Sequence, residues 1–147
     1  MYKLIIWGTG LVGKAVIRGL LDHPNFDIVA VIVNDPAKEG KDVGAIVGAG
    51  DTGIIATRDS AAALSLEADA VAYFGPSAIH ADINMANITA ALRAGKNVLD
   101  TTMGVFENPS RAPEAMIEQI EKIPQRIGPF EDIQPVVHML PPTVRSS

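Results

Sequence analysis

A glycine-rich segment near the amino terminus is the part of this sequence best suited to chemistry. Residues 8–13 read Gly-Thr-Gly-Leu-Val-Gly, which matches the pattern G-x-G-x-x-G. The segment follows an apolar run at residues 4–7 and precedes residues 11–21, whose apolar positions have helical spacing. In a strand–turn–helix unit of this kind, the first amides of the helix and the positive end of its dipole can bind a pyrophosphate.

The individual positions of the motif fit that chemistry. Gly8 would permit the tight turn, Gly10 would let the backbone approach a pyrophosphate, and Gly13 would allow close packing of helix on strand. We therefore predict that a nicotinamide dinucleotide binds here, with contacts from Gly8, Thr9, Gly10, Leu11, Val12 and Gly13. The competing interpretation is a glycine turn without a ligand. A phosphate-loop nucleoside triphosphatase is excluded, because the complete motif G-x-x-x-x-G-K-[ST] does not occur.

The choice between NAD and NADP depends on the residues after the second apolar run, which spans residues 28–33. NAD sites usually place an acidic residue there to bind the ribose hydroxyls, whereas a cation accommodates the extra phosphate of NADP. This chain has neutral Asn34 first, then Asp35, with Lys38 and Lys41 shortly after. Asn34 does not repel a 2′-phosphate, while Asp35 and the lysines are equally consistent with a solvated turn. We predict cofactor contacts from Asn34 and Lys38, with NADP slightly favoured over NAD.

Small and hydroxylated residues follow two later strands of the predicted sheet. Gly75 and Pro76 come after one strand, and Thr101 and Thr102 come after the next. In a doubly wound sheet these positions border the ligand crevice, so we expect them to contact the cofactor near its nicotinamide. Ordinary turn chemistry and strand-end β-propensity would explain the same residues without a ligand.

Catalytic residues are harder to assign from the sequence. Glu107 follows the predicted crevice and is a candidate for contact with a substrate, with a solvated loop glutamate as the competing interpretation. His80 lies early in a predicted helix and has no neighbouring group for proton transfer, so a cap or packing role is favoured. The sequence contains no catalytic-triad spacing and no metal-ligand spacing. We therefore predict no metal site.

The order of apolar segments predicts the fold that positions these residues. Strands are expected at residues 4–7, 28–33, 54–57, 70–74 and 97–100, and helices at residues 11–21, 43–47, 60–67 and 77–94, with Ser60 as an N-cap. This alternation predicts an α/β fold, a Rossmann-type doubly wound parallel sheet in three α/β/α layers. Residues 1–103 would form the dinucleotide-binding domain. Residues 104–147 would form a proline-rich extension packing on it, with a helix at 113–123 and a strand at 133–140.

Composition excludes several other functions. The 147 residues are 48% hydrophobic and 20% charged, which is typical of a globular protein rather than a disordered one. The absence of cysteine excludes a disulfide scaffold and thiolate chemistry. A net charge of −5 argues against a nucleic-acid partner. No apolar run reaches the roughly 18 residues of a membrane span, and the first residues lack signal-peptide features, so a cytoplasmic location is expected.

Two further segments resemble a known family. Residues 38–44 read Lys-Glu-Gly-Lys-Asp-Val-Gly, and the block at residues 71–102 contains Tyr-Phe-Gly-Pro and Leu-Arg-Ala-Gly-Lys-Asn-Val. Together with the glycine motif, they resemble the N-terminal domain of the dihydrodipicolinate reductase-like superfamily, especially its 2,4-diaminopentanoate dehydrogenase and amine dehydrogenase branch. The resemblance assigns the pyrophosphate to Gly8, Gly10 and Gly13, the adenosine ribose to Asn34, and the nicotinamide crevice to Gly75, Thr101 and Thr102.

The resemblance implies an NAD(P)-dependent oxidoreductase that transfers hydride between nicotinamide and an imine or amine. Members of the group are longer, and their second domain supplies substrate binding and oligomer contacts. The residues after position 103 are too few for such a domain, and no counterpart of the reductases' catalytic histidine–lysine motif is present. We therefore expect a shortened, homo-oligomeric relative with little turnover of its own. The alternatives are an oxidoreductase whose crevice a dimer partner completes, and a non-catalytic nucleotide-sensing or assembly module.

Overall fold

The structure is a computed structural model that describes residues 1–76, 80–101 and 137–139. Its elements, in chain order, are β1 (Tyr2–Trp7), α1 (Leu11–Leu20), β2 (Phe26–Ile32), α2 (Val43–Val47), α3 (Ser60–Leu64), β3 (Ala70–Tyr73), α4 (Ala81–Arg93), β4 (Asn97–Asp100) and β5 (Val137–Met139). The contacts within the chain divide it into two compact units, Met1–Gly75 and Pro76–Ser147.

Three parallel strands form the sheet of the first unit, in the order β2–β1–β3. Ile6 of β1 pairs with Val31 of β2 on one side and with Ala72 of β3 on the other. All three side chains are buried. Parallel strands covered on both faces carry continuous apolar runs rather than alternating ones, which explains the composition of β1 and β2.

The main apolar cluster of the first unit joins this sheet to α1 and α2. Ile17 of α1 and Val47 of α2 are buried in it together with Ile6. The guanidinium of Arg18 donates a hydrogen bond from Nε to the carbonyl oxygen of Val47 (2.7 Å). That carbonyl belongs to the last turn of α2, where helix acceptors lack partners within the helix. The contact therefore links α1 to α2 and also gives a carbonyl oxygen at the end of α2 a hydrogen-bond donor.

In the second unit, α4 leads into β4, and β4 pairs in parallel with β5 through three successive residue pairs. Gly95 lies just past the end of α4 and has φ of +80°. Its amide donates to the carbonyl of Leu92 (2.9 Å), and the amide of Lys96 donates to the carbonyl of Ala91 (3.2 Å). This is a Schellman arrangement, which needs a left-handed residue at the glycine position.

Parallel strands with intervening helices confirm the predicted α/β class. Strand β5 falls within the range 133–140 that was expected to be a strand. The helix predicted at 113–123 lies outside the described residues, and the boundary predicted between residues 103 and 104 stays a prediction. Within the described parts of the chain, no helix has the length and apolar character needed to cross a membrane.

Two local predictions are wrong. The N-cap of α3 is Asp59, whose carboxylate accepts a hydrogen bond from the amide of Ala62 (3.0 Å), and Ser60 is the first helical residue. An N-cap needs a non-helical backbone, and Asp59 has one, with φ of −80° and ψ of 83°.

Residues 54–57 do not form a continuous strand. They make separate bridges, one from Ile55 to the loop before α2 and one from Thr57 to β2, because the segment passes between two different partners.

Candidate dinucleotide-binding site

The turn between β1 and α1 is too closely packed for side chains at two of its glycines. Gly8 has φ of +111°, and a Cβ there would overlap the carbonyl oxygen of Phe74, the residue after β3. The amide of Phe74 in turn donates to the carbonyl oxygen of Trp7 (2.7 Å). A Cβ at Gly13 would overlap the carbonyl oxygen of Gly8. The first and third glycines of the motif therefore allow the turn, the helix and the strand end to pack together.

The second glycine of the motif has open space around it. Gly10 is the exposed N-cap of α1, with φ of −71° and ψ of −164°. Among the described residues other than its two chain neighbours, no atom lies within 4 Å of the position its Cβ would take. In the described part of the chain, no side chain forms a cap hydrogen bond at this end of α1, and the first turn of α1 contains no acidic residue. The first amides of a helix lack partners within the helix, so an uncapped amino end is suited to an anion.

Two exposed apolar side chains belong to the first turn of α1. Leu11 is 90% exposed and Val12 is 51% exposed. They are the first two residues of α1 after its N-cap residue, Gly10. A nucleotide bound at this helix end would remove part of their apolar area from water, which is favourable. The structure thus leaves the predicted contacts Leu11 and Val12 accessible to a ligand.

The loop after β2 brings a cation to the glycine-rich turn. The Nζ atom of Lys38 donates to the carbonyl oxygen of Thr9 (3.1 Å) and to the hydroxyl oxygen of Thr9 (3.0 Å). Thr9 is only 5% exposed, and Lys38 is half-buried. Two of the predicted cofactor-binding residues, 29 positions apart in the sequence, are therefore in direct contact. Their contact places a positive charge beside the motif.

Asn34 and Asp35 follow β2, which pairs with β1, and both are exposed. The carboxylate of Asp35 accepts a hydrogen bond from the amide of Ala37 (2.9 Å), and its carbonyl oxygen accepts one from the amide of Lys38 (3.0 Å). Side-chain bonding of this kind is typical of turns. Asp35 therefore shapes the turn that carries Lys38, and Asn34 is the polar residue next to the strand.

Two aromatic side chains are buried at the carboxyl ends of β1 and β3. Trp7 and Tyr73 pair across the strands, and their rings meet edge to face with 5.4 Å between centroids. Within the described residues, the Nε1 atom of Trp7 is buried without a hydrogen-bond partner. A Cβ at Gly75 would overlap the ring of Tyr73. A side chain at the predicted contact Gly75 would therefore require the Tyr73 ring to move.

In the second unit, a buried asparagine of α4 binds the backbone of Pro76. The side-chain amide of Asn84 donates to the carbonyl oxygen of Pro76 (3.0 Å), and Asn84 is fully buried. His80 is the N-cap of α4 and forms no side-chain cap hydrogen bond. Thr101 is half-buried and directly follows β4. Sequence reasoning assigned no role to Asn84, because its acceptor lies eight residues away, beyond the i−3 and i−4 backbone groups that an asparagine side chain binds locally.

Asp42, in the segment that resembles the reductase family, has a structural role. Its carboxylate accepts hydrogen bonds from the amide of Thr52 (3.0 Å), the amide of Gly44 (2.7 Å), the hydroxyl of Thr52 (2.8 Å) and the amide of Gly53 (2.9 Å). These bonds, with that from the Thr52 amide contributing most, lower the pKa of Asp42 from its ordinary 3.8 to about 2. Asp42 therefore joins the start of α2 to the residues that follow the helix, and its carboxylate oxygens are used in these bonds rather than facing a ligand.

Two predicted site residues, Thr102 and Glu107, lie outside the described residues. The structure brings Gly8 to Gly13 and Lys38 together in the first unit. Pro76 and Thr101 belong to the second unit. Among residues 1–76, 80–101 and 137–139, no group of three or more histidine or acidic side chains is arranged to hold a metal ion.

Comparison with known proteins decides the family. The family model described as "Dihydrodipicolinate reductase, N-terminus" matches residues 2–126. The chain belongs to this family. It is an NAD(P)-binding domain of the oxidoreductases that include the dihydrodipicolinate reductases and amine dehydrogenases. The resemblance found in the sequence is thereby confirmed.

Two curated relatives of this dihydrodipicolinate reductase-type domain have named activities. An amine dehydrogenase of Streptomyces virginiae is 36% identical over 115 residues, which cover 77% of this chain and 32% of the relative. A 4-hydroxy-tetrahydrodipicolinate reductase of Methanopyrus kandleri is 26% identical over 118 residues, which cover 79% of this chain and 42% of the relative. The matched part of the chain therefore spans well under half the length of either relative.

A solved structure confirms the Rossmann-type fold of the reductase-type domain. The amine dehydrogenase from Mycobacterium smegmatis superposes with a TM-score of 0.67 at 21% identity. The match covers 80% of this chain and 35% of that protein. At this level of identity the likeness concerns the fold alone, and the fold is the doubly wound α/β arrangement predicted from the sequence.

Proposed function

We propose that this domain binds NADP(H) in preference to NAD(H), as the cofactor-binding part of an oxidoreductase that acts on an amine or imine. The observation that carries the proposal is the Lys38 ammonium, which contacts Thr9 in the glycine-rich turn next to the uncapped amino end of α1. Membership of the reductase family supports the nicotinamide dinucleotide. The activities named for the two curated relatives support the amine or imine class of substrate.

The charges around the turn after β2 support the preference for NADP. The acid that could bind the ribose hydroxyls of NAD is Asp35, and its carboxylate already accepts a hydrogen bond from Ala37. Asn34 is neutral, and Lys38 carries the positive charge beside the motif. An extra phosphate is favoured where a cation replaces the acid. The cofactor with the 2′-phosphate therefore fits this turn better than the cofactor without it.

Each predicted contact has a defined role in this proposal. The amides that follow Gly10 at the start of α1 would hold the pyrophosphate, and Asn34 would bind the adenosine ribose. Pro76 and Thr101 would border the nicotinamide from the carboxyl ends of their strands. The bound nicotinamide would supply or accept the hydride, and the protein residues would bind and orient it.

Calorimetric titration with NADPH and with NADH tests the cofactor proposal. We expect both to bind, with NADPH tighter by about tenfold, because a charge-assisted hydrogen bond to a phosphate is worth on the order of 1.5 kcal/mol. Equal or tighter binding of NADH would show that the preference is wrong. If neither cofactor releases or absorbs heat beyond dilution, binding by this domain is wrong.

A separate assay addresses the substrate class. NADPH consumption is followed with short keto acids plus ammonia, and NADP reduction is followed with diamines. We expect low turnover, because the matched region spans 32% and 42% of the two relatives, and hydride transfer needs substrate and cofactor held together. Rapid turnover by this chain would instead support the alternative in which a dimer partner completes the crevice.

Other parts of the functional prediction also stay proposals. Glu107 as a substrate contact, Thr102 as a nicotinamide contact, a homo-oligomeric state and a cytoplasmic location all derive from the sequence alone. Sedimentation velocity with and without NADPH measures the oligomeric state. A change of mass on cofactor binding without any turnover would favour the alternative of a nucleotide-sensing or assembly module.

A further inference from the structure

The contact between Lys38 and Thr9 points to a role beyond the attraction of a phosphate. We propose that Lys38 is a positioning residue: it holds the glycine-rich turn in its ligand-binding shape and so strengthens the binding of NADH as well as NADPH. The inference rests on the proposed dinucleotide binding. It differs from that proposal because it concerns the part of the ligand that NADH and NADPH share.

The two hydrogen bonds constrain Thr9 at two points. One ammonium group binds both the carbonyl oxygen (3.1 Å) and the hydroxyl oxygen (3.0 Å) of Thr9. The hydroxyl bond favours one rotamer of the side chain, and the carbonyl bond favours one orientation of the peptide group. Because a peptide unit is planar, fixing the Thr9 carbonyl also fixes the direction of the Gly10 amide in the same unit. That amide precedes the anion-binding end of α1.

The neighbours of Thr9 explain why this constraint is needed. Thr9 lies between Gly8 and Gly10, and glycine has the widest range of backbone conformations. Gly8 is packed against Phe74, whereas Gly10 is exposed and, among the described residues beyond its two chain neighbours, no atom lies within 4 Å of its Cβ position. The carbonyl oxygen of Gly10 accepts a hydrogen bond from the amide of Lys14 (2.9 Å), so the bonds from Lys38 act on the preceding peptide, between Thr9 and Gly10. Ordering it before ligand binding reduces the entropy lost on binding.

The backbone of Lys38 is itself anchored, so its side chain can restrain the turn. Its amide donates to the carbonyl oxygen of Asp35 (3.0 Å), and its carbonyl oxygen accepts from the amide of Lys41 (3.2 Å). Lys38 thus extends from an ordered turn after β2 to the turn after β1. Lys41 belongs to the same region but is exposed, which makes it a matched control for the loss of one positive charge.

The experiment compares Lys38→Met, Lys38→Arg and Lys41→Met with the unmodified chain. Affinities for NADH, NADPH and ADP are measured by calorimetry, and hydrogen exchange of the amides at residues 8–13 is measured without ligand. We expect Lys38→Met to weaken the binding of NADH and of ADP by about fivefold. The variant loses the charged hydrogen bonds to Thr9, so the turn must be ordered when the ligand binds. We also expect faster exchange of the turn amides in this variant. Lys38→Arg should restore part of both effects, and Lys41→Met should show neither.

A second variant tests the contact from the other side. Thr9→Val removes the hydroxyl acceptor and keeps the carbonyl, so it should weaken NADH less than Lys38→Met does. If the two residues act through one contact, the double variant should bind NADH no more weakly than Lys38→Met alone. Additive losses would show that Lys38 and Thr9 act independently, which overturns the inference.

Two results separate this inference from the proposed function. In the first, Lys38→Met weakens the binding of NADPH alone, while its affinities for NADH and ADP and its amide exchange rates equal those of Lys41→Met. Lys38 then binds only the 2′-phosphate, and the inference is wrong. If the unmodified chain binds no dinucleotide, the proposed function fails. Hydrogen exchange of the turn amides then tests the positioning role by itself. Unchanged exchange in Lys38→Met overturns that role.

Discussion

The rings of Trp7 and Tyr73 meet edge to face, 5.4 Å apart, where the paired strands β1 and β3 reach their carboxyl ends. Trp7 directly precedes the glycine-rich turn, and the chain contains one tryptophan. The side chain is 3% exposed, so its emission reports on a single buried environment. The chain therefore carries an intrinsic probe beside the proposed cofactor site.

We expect the fluorescence of Trp7 to fall during titration with NADPH, because the reduced nicotinamide absorbs in the range where tryptophan emits. The midpoint should agree with the calorimetric dissociation constant. Tyr73→Phe keeps an aromatic ring at the contact and serves as the control, with the same fall expected. Calorimetric binding without any change in emission would place the dinucleotide away from the β1–α1 turn.

The glycines of the motif should separate into two classes. Gly13→Ala is expected to lower the free energy of unfolding by about 2 kcal/mol, since its Cβ would overlap the Gly8 carbonyl oxygen. Gly10→Ala should change that free energy by no more than about 0.5 kcal/mol, because its Cβ has open space and its φ is negative. The second variant should nevertheless bind NADPH at least about tenfold more weakly, because the pyrophosphate approaches this backbone.

Urea denaturation measures the unfolding of both glycine variants, and calorimetry measures their binding. A Gly10→Ala variant that binds as tightly as the unmodified chain would contradict the placement of the pyrophosphate at this helix end. A Gly13→Ala variant of full stability would contradict the close packing of α1 on the turn.

The stability of the first unit should depend on the ionisation of Asp42. Its pKa is lowered to about 2 in the folded chain, from an ordinary 3.8. The carboxylate therefore stabilises the fold at pH values above about 4, and this contribution is lost as the pH falls from about 4 through 2. Asp42→Asn should be less stable at pH 7 and should show a weaker dependence of stability on pH over that interval.

Thermal unfolding between pH 2 and pH 7 measures this dependence. Asp51→Asn, at an exposed carboxylate next to the Thr52 amide that binds Asp42, is the control and should follow the unmodified chain. Parallel curves for Asp42→Asn and the unmodified chain below pH 4 would contradict the assignment of the acid-sensitive contribution to Asp42.

The buried amide of Asn84 should contribute to the stability of the second unit. Replacing it by leucine leaves the carbonyl oxygen of Pro76 without this donor. We expect the free energy of unfolding to fall by about 1 kcal/mol, the usual effect of losing one intramolecular hydrogen bond. Ile83→Ala, at a position 51% exposed on the same helix, should change it by less than about 0.5 kcal/mol. Equal effects of the two substitutions in urea denaturation would show that the contact is unimportant.

Local patterns were sufficient for the fold class and for the glycine motif. Continuous apolar runs indicate buried parallel strands, and helical spacing identifies α1, because both depend on neighbours close in sequence. Local patterns do not decide the structure of residues 59–60 and 54–57. Asp59 and Ser60 are both good capping residues, and only backbone angles select between them. Ile55 and Thr57 have strand-forming composition, yet they bridge two different partners.

The sequence by itself determined the nucleotide-binding motif of this protein, which consists of a strand, three spaced glycines and a helix. Their roles follow from bond geometry and helix electrostatics. Only the tertiary structure decided that Lys38 binds Thr9, that the Tyr73 ring lies against Gly75, and that Asn84 binds the carbonyl of Pro76. The physical reason is that such contacts depend on the paths of loops between elements. A side chain's distant partner is set by those paths and not by its own neighbours in the sequence.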